Sequence, residues 1–287
     1  MKQKIKIAFA DFWNGFIYDP TNITISNYDN VFYQILSEKY DIEINQSNPD
    51  YLIFSAFGNS HYNYNCKKIF YTGENLRPNF SICDYALTFD YMDDNRNYRF
   101  PLSAISLYEA GIKNKFEKNI DFDQIKKEKT KFCNFVFSNP APGSPRVEFY
   151  NKLSSYKKVD AGGRVLNNLG YLVGDKLEFL NNYKFTICFE NTEFPGYTTE
   201  KIVHPKFVDS IPIYWGNREV GKDWNIKAFI NAFDFKSLDD LVEYVKLVDN
   251  DEDLYKSILM EPHFIDDKVS HDLDYRNLLE FFDKIFS

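Results

Sequence analysis

Short apolar runs alternate with amphipathic stretches along this chain, and the alternation occurs twice. In the first half, residues 51–54 and 68–71 form apolar runs, which are typical of strands covered on both faces. Residues 30–39 carry apolar side chains on one helical face, which predicts a helix. Further strands are predicted at residues 5–10, 40–44 and 85–89. Strands that alternate with helices predict an open parallel sheet built from βαβ units.

A polar segment at residues 112–130 separates this first half from a second series with the same pattern. We interpret the segment as a linker, which gives domains at residues 1–128 and 129–287. Predicted strands of the second domain are residues 132–137, 183–189 and 211–215, with an edge strand at 229–235. Predicted helices are residues 145–153, 177–183, 238–247, 253–260 and 275–286, the last being a candidate to pack back on the first domain. Two successive sheets of this kind predict a two-lobed α/β protein with a cleft between the lobes.

The charge of the chain excludes one class of partner. The formal net charge is −8, and the cluster of lysines between residues 126 and 131 is surrounded by acidic residues. We interpret these lysines as a solvated connector, so we expect no nucleic-acid partner.

Apolar runs and cysteines bear on the location of the protein. No apolar run approaches the roughly 20 residues that a membrane-spanning helix needs, and the first residues lack the apolar region of a signal peptide. The four cysteines lie far apart, which indicates reduced thiols rather than a disulfide framework or a metal site; they are Cys66, Cys83, Cys133 and Cys188. We therefore expect a cytoplasmic protein without a transmembrane segment, at most peripheral at the inner membrane, and leave its oligomeric state open.

Residues 190–202, which read ENTEFPGYTTEKI, carry the strongest indication of chemistry. A predicted strand ends there, a Gly/Pro loop follows, and a helix begins with Thr198 or Thr199 as its cap. Open α/β sheets bind ligands beyond the carboxyl ends of their strands, where the first turn of a helix offers free N–H groups to a phosphate. Lys201 is placed to meet a pyrophosphate and Glu200 to accept hydrogen bonds from ribose hydroxyls. The residue types equally allow a capped helix whose charged first turn faces water.

Arg146 and Glu74 are candidates by the same topology. Arg146 opens a helix after the strand at 132–137, and its guanidinium matches a phosphate in geometry. Glu74 follows the strand at 68–71 in a Gly-Glu-Asn turn, where a carboxylate can act as a general base. A surface arginine and a local turn contact are the alternatives at these two positions.

Metal-binding patterns are weak. Asp-x-Asp pairs, which hold a divalent metal in many nucleotide-sugar enzymes, occur at residues 121 and 123, 249 and 251, and 272 and 274. None of these pairs ends a predicted strand, so we favour solvated charge. The four histidines, at positions 61, 204, 263 and 271, show no metal-ligand spacing. We therefore expect no metal site.

Taken together, these motifs resemble those of the α1,3-fucosyltransferases of glycosyltransferase family 10. The matching segments of the second half are residues 189–191, 196–202 and 211–216, with Ser138, Asn139, Arg146 and residues 162–164 upstream. In the first half, residues 70–75 and the aromatic stretch at 11–13 are similar to the bacterial members. The resemblance covers the chain to about residue 245.

The resemblance implies a GT-B fold, with two Rossmann-like domains facing across a cleft, the first for the acceptor and the second for GDP-fucose. It implies inverting transfer of L-fucose that needs no metal or other cofactor, with Glu74 as general base. Implied donor contacts are Arg146, Lys201, Tyr197, Glu200, Asn191, Glu190, Ser138, Asn139 and Arg164. Implied acceptor contacts are Trp13, Asp11 and Asn75.

The acceptor implied by the family is O3 of N-acetylglucosamine in N-acetyllactosamine-type glycans, the reaction of Lewis x synthesis, with glucose or the 4-hydroxyl as variants. The loops at residues 11–30 and 90–115 would select it. One alternative is a metal-independent GT-B enzyme that uses a different nucleotide sugar. Another is a non-catalytic carbohydrate-binding protein, which would have no need of the Tyr197, Glu200 and Lys201 combination.

Overall fold

The computed structural model describes residues 2–13, 30–110 and 121–287 and divides into two compact units. Met1–Glu109 and His271–Ser287 form the first unit, and Ala110–Ser270 form the second. Both contain a parallel sheet with helices, as the alternating apolar pattern predicts. Among the described residues, no helix combines the length and the apolar character that crossing a bilayer requires.

The first unit contains a six-stranded parallel sheet in the order β2-β1-β3-β4-β5-β6. Its strands are β1 (Lys4–Ala10), β2 (Asp41–Ile44), β3 (Tyr51–Phe54), β4 (Lys67–Tyr71), β5 (Tyr85–Thr88) and β6 (Asn97–Arg99). Its helices are α1 (Val31–Lys39), α2 (Leu102–Glu109) and, from the end of the chain, the helix at Tyr275–Phe286. The side chain of Asn30 caps α1 by accepting a hydrogen bond from the Tyr33 amide, as expected of Asn at a helix start.

The C-terminal helix completes the core of the first unit. The ring of Phe286 lies 5.1 Å from the ring of Tyr40 and 4.5 Å from that of Tyr51. Asp283 accepts hydrogen bonds from Tyr40 and Lys39. Seven of the helix's side chains are buried, so its removal would expose a large apolar face.

The second unit contains a five-stranded parallel sheet in the order β11-β10-β9-β7-β8. Its strands are β7 (Lys131–Phe135), β8 (Val159–Ala161), β9 (Tyr183–Phe189), β10 (Ile211–Trp215) and β11 (Ile230–Asn231). Its helices are α3 (Phe122–Glu128), α4 (Arg146–Ser154), α5 (Lys176–Leu180), α6 (Glu200–Phe207), α7 (Leu238–Asn250) and α8 (Glu252–Met260), which makes the C-terminal helix α9. The edge strand is shorter than predicted, because a 3-10 turn replaces it from Ala232 to Asp234.

The interpretation of residues 112–130 as a linker is wrong where the structure describes them, from residue 121 onward. α3 forms there and buries Phe122 and Ile125 in the core of the second unit. Lys129 is buried as well, and its ammonium donates to the carbonyl oxygens of Asn181 (2.6 Å) and Val208. Two apolar side chains three residues apart are enough to anchor an otherwise charged helix, so the lysines do not all belong to a solvated connector.

Asp249, which we assigned to solvated charge, is instead a buried ion-pair centre. Its side chain is 3% exposed, and its carboxylate lies 2.6 Å from the ammonium of Lys184 and 3.0 Å from that of Lys157. The hydroxyl of Tyr156 donates to the same carboxylate. Burial alone would raise the pKa of Asp249, but the hydrogen bonds from Lys184 and Lys157 outweigh burial and hold the pKa below its ordinary value.

Asp249→Asn is expected to lower the free energy of unfolding of the second unit by about 1–3 kcal/mol at pH 7, because charge-assisted hydrogen bonds are lost. Because the pKa of Asp249 is lower in the folded protein than its ordinary value of about 3.9, the ionised carboxylate stabilises the folded state at pH values above 3.9. This stabilisation is lost as the pH falls through the folded-state pKa. The difference between wild type and variant should therefore shrink below about pH 4. Urea unfolding between pH 7 and 3.5 measures it.

Asp239→Asn is the matched control, because this carboxylate is exposed on the same helix and pairs with Lys152. It should change stability little. If Asp249→Asn were less stable than wild type by the same free energy at every pH in this range, the role of the buried charge would be contradicted.

Candidate functional site

The carboxyl edge of the second sheet brings the predicted binding residues together. The strand order places β7 next to both β8 and β9, so the chain leaves β7 for one side and later returns to the other. Such a switch point opens a crevice beyond the carboxyl ends of the strands, where α/β proteins bind ligands. The loops after β7 and β9 meet at this point.

Arg146 ties these two loops together. It is the first residue of α4 and is fully buried. Its guanidinium donates to the carbonyl oxygens of Asn139 and Phe189, both at 3.0 Å, and to the side-chain oxygen of Asn191 at 2.9 Å. A longer bond of 3.3 Å reaches the hydroxyl of Ser144. Asn139 and Asn191, both predicted site residues, are thus in direct contact with Arg146.

The charge of Arg146 has no carboxylate partner within the described part of the chain. Its four hydrogen bonds all go to neutral oxygens, and one face of the guanidinium lies 4.3 Å from the Phe137 ring centre. Burial lowers the pKa of Arg146, while Glu190 and Glu200 act in the opposite direction. A buried cation of this kind is costly unless an anion compensates it.

Glu190 and Lys201 form an ion pair behind the first turn of α6. Glu190 is fully buried, and its two carboxylate oxygens accept from the amide and the hydroxyl of Thr199, each at 2.8 Å. The ammonium of Lys201 lies 3.2 Å from Glu190 and 3.4 Å from Glu200. Glu190 was predicted as a donor contact, whereas the structure engages its whole carboxylate within the protein.

The electrostatics of this group follow from burial and mutual attraction. Burial raises the pKa of Glu190, against the opposing effect of Lys201. Burial would lower the pKa of Lys201, but Glu190 and Glu200 outweigh it and raise that pKa. Burial likewise opposes ionisation of Glu200, yet Lys201 and Lys176 lower its pKa to about 2. Lys201 and Glu200 are therefore charged at neutral pH.

Asn217, which the sequence analysis did not single out, holds the loop before α6. Its side-chain oxygen accepts from the amide of Gly196 at 2.8 Å, and its amide group donates to the hydroxyl of Thr198 at 3.0 Å. Thr199 caps the helix, which confirms one of the two predicted caps. Gly216 precedes Asn217 with a φ of 148°, and a Cβ there would lie 2.5 Å from the side chain of Glu190. Glycine is required at this position.

The remaining predicted donor residues lie around the same edge. Tyr197 is buried and lies close enough to Arg146 and Lys201 to raise the pKa of each. Ser138 is exposed in the loop after β7. Arg164 is exposed beyond β8, and the next residue, Val165, donates its amide to the carbonyl of Phe137.

Glu74 lies at the corresponding edge of the first sheet, three residues after β4. Its side chain is exposed, and its amide donates to the hydroxyl of Thr72 at 3.0 Å. No described residue forms a hydrogen bond or ion pair with the Glu74 carboxylate, which leaves the carboxylate available to a ligand. Asn75 follows it, partly buried.

The carboxylate of Asp11, a predicted acceptor contact, is engaged within the protein. It is buried and accepts from the amides of Ser60 (2.8 Å) and His61 (2.9 Å) and from the His61 ring at 2.7 Å. It therefore fixes the loop after β3, a role that sequence reasoning missed because the partners lie about 50 residues away. Trp13 packs edge-on against the half-exposed ring of Phe57 at 5.8 Å. Residues 14–29 of the predicted acceptor loop at 11–30, and residues 111–115 of the one at 90–115, lie outside the described residues.

The Asp-x-Asp pairs have structural partners. One member of each pair caps a helix, and these caps are Asp121, Asp251 and Asp274. Asp272 pairs with Arg99 at 3.1 Å. Within residues 2–13, 30–110 and 121–287, no group of three or more His, Cys, Asp or Glu side chains is arranged to hold a metal ion.

Comparison with known proteins gives a consistent picture. The sequence model "Alpha-(1,3)-fucosyltransferase FucT N-terminal domain" matches residues 7–106, and "Glycosyltransferase family 10 (fucosyltransferase) C-term" matches residues 126–260. Alpha-(1,3)-fucosyltransferase FucT of Helicobacter pylori is 36% identical over 98% of this chain, which spans 66% of that relative's length. A human 4-galactosyl-N-acetylglucosaminide 3-alpha-L-fucosyltransferase is 34% identical over 45% of this chain, a match that spans 36% of the human protein.

Solved structures agree on the fold. A crystal structure of an alpha1,3-fucosyltransferase superposes with a TM-score of 0.82 at 34% identity, covering 99% of this chain and 90% of that one. A second, of alpha1,3-fucosyltransferase with GDP-fucose, superposes with a TM-score of 0.79 at 35% identity, covering 99% of this chain and 91% of that one. The predicted GT-B fold class is confirmed.

Proposed function

The chain belongs to glycosyltransferase family 10, the fucosyltransferases, and on that premise we propose that it transfers L-fucose from GDP-fucose to a sugar hydroxyl. The observation that carries the proposal is the buried guanidinium of Arg146, which lies at the switch point of the second sheet without a carboxylate partner among the described residues. A diphosphate supplies the anion that this cation lacks, in the position where such folds bind nucleotides.

Departure of GDP is the step that the second unit assists. The bond between the fucose anomeric carbon and the diphosphate oxygen breaks, and the electron pair stays on the diphosphate. Arg146, Lys201 and the first turn of α6 stabilise that charge as preorganised donors. Glu200, ionised at neutral pH because its pKa is about 2, accepts hydrogen bonds from the ribose.

Attack by the acceptor completes the reaction with inversion. The acceptor hydroxyl approaches the anomeric carbon from the face opposite the diphosphate, and Glu74 removes its proton as the new carbon–oxygen bond forms. The exposed Glu74 carboxylate, which no described residue engages, supports this role.

Transfer needs no divalent metal in this proposal. The two cationic side chains and the helix end already oppose the charge of the leaving group. The acidic pairs that could hold a metal are instead used as helix caps and ion-pair partners.

The acceptor that the relatives favour is O3 of N-acetylglucosamine in N-acetyllactosamine-type glycans, as in Lewis x synthesis. The names of the bacterial and human relatives specify 3-linked transfer, and the human one specifies a galactosyl-N-acetylglucosaminide. A cytoplasmic location is supported by the four free cysteines, because disulfides are rare in a reducing compartment.

Turnover with a panel of donors in the presence of EDTA tests the proposal. We expect GDP release and product from GDP-fucose, none from GDP-mannose or UDP-sugars, and no loss of rate in EDTA. NMR of the product from an N-acetyllactosamine acceptor should show an α1,3 linkage. Turnover of a different nucleotide sugar would support the other GT-B alternative, and glycan binding without any GDP release would support a carbohydrate-binding protein.

A further inference from the structure

Lys176 lies beside the candidate donor site, although neither the sequence motifs nor the family resemblance points to it. It is the first residue of α5, which packs against α6 and β9. Its partly buried side chain and that of Lys201 line one narrow crevice, together with Asn134, Phe137 and Thr186. Lys176 therefore lies at the same end of the second sheet as the residues that we assign to GDP-fucose.

The ammonium of Lys176 is not neutralised by a direct partner. Within the described part of the chain, no carboxylate oxygen lies within 4 Å of its nitrogen and no hydrogen bond reaches it. Glu200 and Glu190 are close enough to attract its charge, and Lys201 is close enough to repel it. Burial and this repulsion together lower the pKa of Lys176 more than Glu200 and Glu190 raise it, which is the behaviour of a cation that the protein compensates only in part.

A count of charges shows why an anion is required. Arg146, Lys176 and Lys201 bring three cations to this edge. Among the described residues, the carboxylates that act on these cations are Glu190 and Glu200, and Glu190 is already paired with Lys201. The neighbouring His204 adds no charge at neutral pH, because burial and Lys176 lower its pKa to about 4. The edge therefore carries a surplus positive charge in a partly buried setting, which attracts anionic ligands.

We infer that Lys176 is a third cation of the donor site and that its charge is met by the diphosphate of the nucleotide sugar. The inference rests on the proposed function, which supplies a diphosphate at this edge. Lys176 acts as a binding residue: it holds the donor and lowers the energy of the departing diphosphate, without taking part in proton transfer.

Calorimetric titration of the full chain with GDP, inorganic pyrophosphate and guanosine tests the inference. Lys176→Met should weaken GDP and pyrophosphate binding by about ten- to one-hundredfold, the loss expected for a charge-assisted hydrogen bond. Guanosine binding should not change. Lys176→Arg should retain most of the affinity for both anions, because it keeps the charge.

Lys158→Met is the matched control, because it removes the same charge from an exposed lysine. Lys158 directly precedes β8 and so lies at the amino ends of the strands, away from the carboxyl edge that holds the donor site. It should bind all three ligands like wild type. Unchanged GDP affinity in Lys176→Met, or an equal loss for guanosine, would overturn the inference. Failure of the wild-type chain to bind GDP would instead overturn the proposed function, and thermal unfolding of each variant identifies any that is misfolded.

Discussion

Glu74→Gln is expected to lower the rate of fucose transfer by about 10²–10⁴-fold, the usual contribution of a general base, while the affinity for GDP stays as in wild type. The amide keeps the size and hydrogen-bonding reach of the side chain but cannot accept the proton of the acceptor hydroxyl. Glu74 belongs to the first unit, whereas Arg146 and Lys201, which we assign to donor binding, belong to the second. We therefore expect the variant to lower the maximal rate and to leave the affinity for the donor unchanged. Initial rates of GDP release at saturating donor and acceptor, with calorimetry for GDP, measure the two effects.

Glu43→Gln provides the control for this prediction. Glu43 is a partly exposed carboxylate on β2 of the same unit and pairs with Lys4, so its neutralisation should leave transfer unchanged. A Glu74→Gln variant that transfers fucose at the wild-type rate would remove Glu74 as the base. A variant that loses GDP affinity instead would place Glu74 in donor binding.

Apolar runs predicted the sheets of both units, because a strand buried on both faces must be apolar over its whole length. Residues 51–54 and 211–215 show this directly, since both segments form strands with the predicted bounds. The helix α3 was missed for the converse reason. Only Phe122 and Ile125 anchor it, and two apolar residues among seven give too weak a periodicity to distinguish a packed helix from a linker.

The sequence predicted where polar residues of the site lie in the fold, but not which residues they contact. The topology rule placed Arg146 and Lys201 at the carboxyl edge of the second sheet, where the structure has them. No local pattern shows that Asp11 binds His61 or that Asn217 binds Gly196, because the partners are 50 and 21 residues apart. The same limit hid Lys176, whose neighbours come from other elements of the unit.

Lys201→Met is expected to have the largest effect on the second unit, because it leaves the buried carboxylate of Glu190 without its cation. Loss of one partner of a buried pair costs about 3–5 kcal/mol. Affinity for GDP should also fall by about tenfold or more, since a phosphate loses a charged donor. Urea unfolding and calorimetry measure the two losses separately.

The pH dependence of the stability loss has a definite sign. Burial already raises the pKa of Glu190, and without Lys201 the pKa should rise further. A raised folded-state pKa favours the protonated carboxyl, so the unfolded chain holds fewer protons than the folded one above the ordinary Glu value of about 4.3. The loss of unfolding free energy caused by Lys201→Met should therefore grow as the pH rises above that value and shrink as the pH falls towards it.

The double variant Glu190→Gln/Lys201→Met separates the two roles of the lysine. It has no buried carboxylate to neutralise, and Gln can keep a hydrogen bond to Thr199, so most of the lost stability should return. GDP affinity should stay low, because the cation that faces the diphosphate is still missing. If the double variant bound GDP as tightly as wild type, Lys201 would act only as the counter-ion of Glu190, and Arg146 and Lys176 would be left as the cations of the donor site.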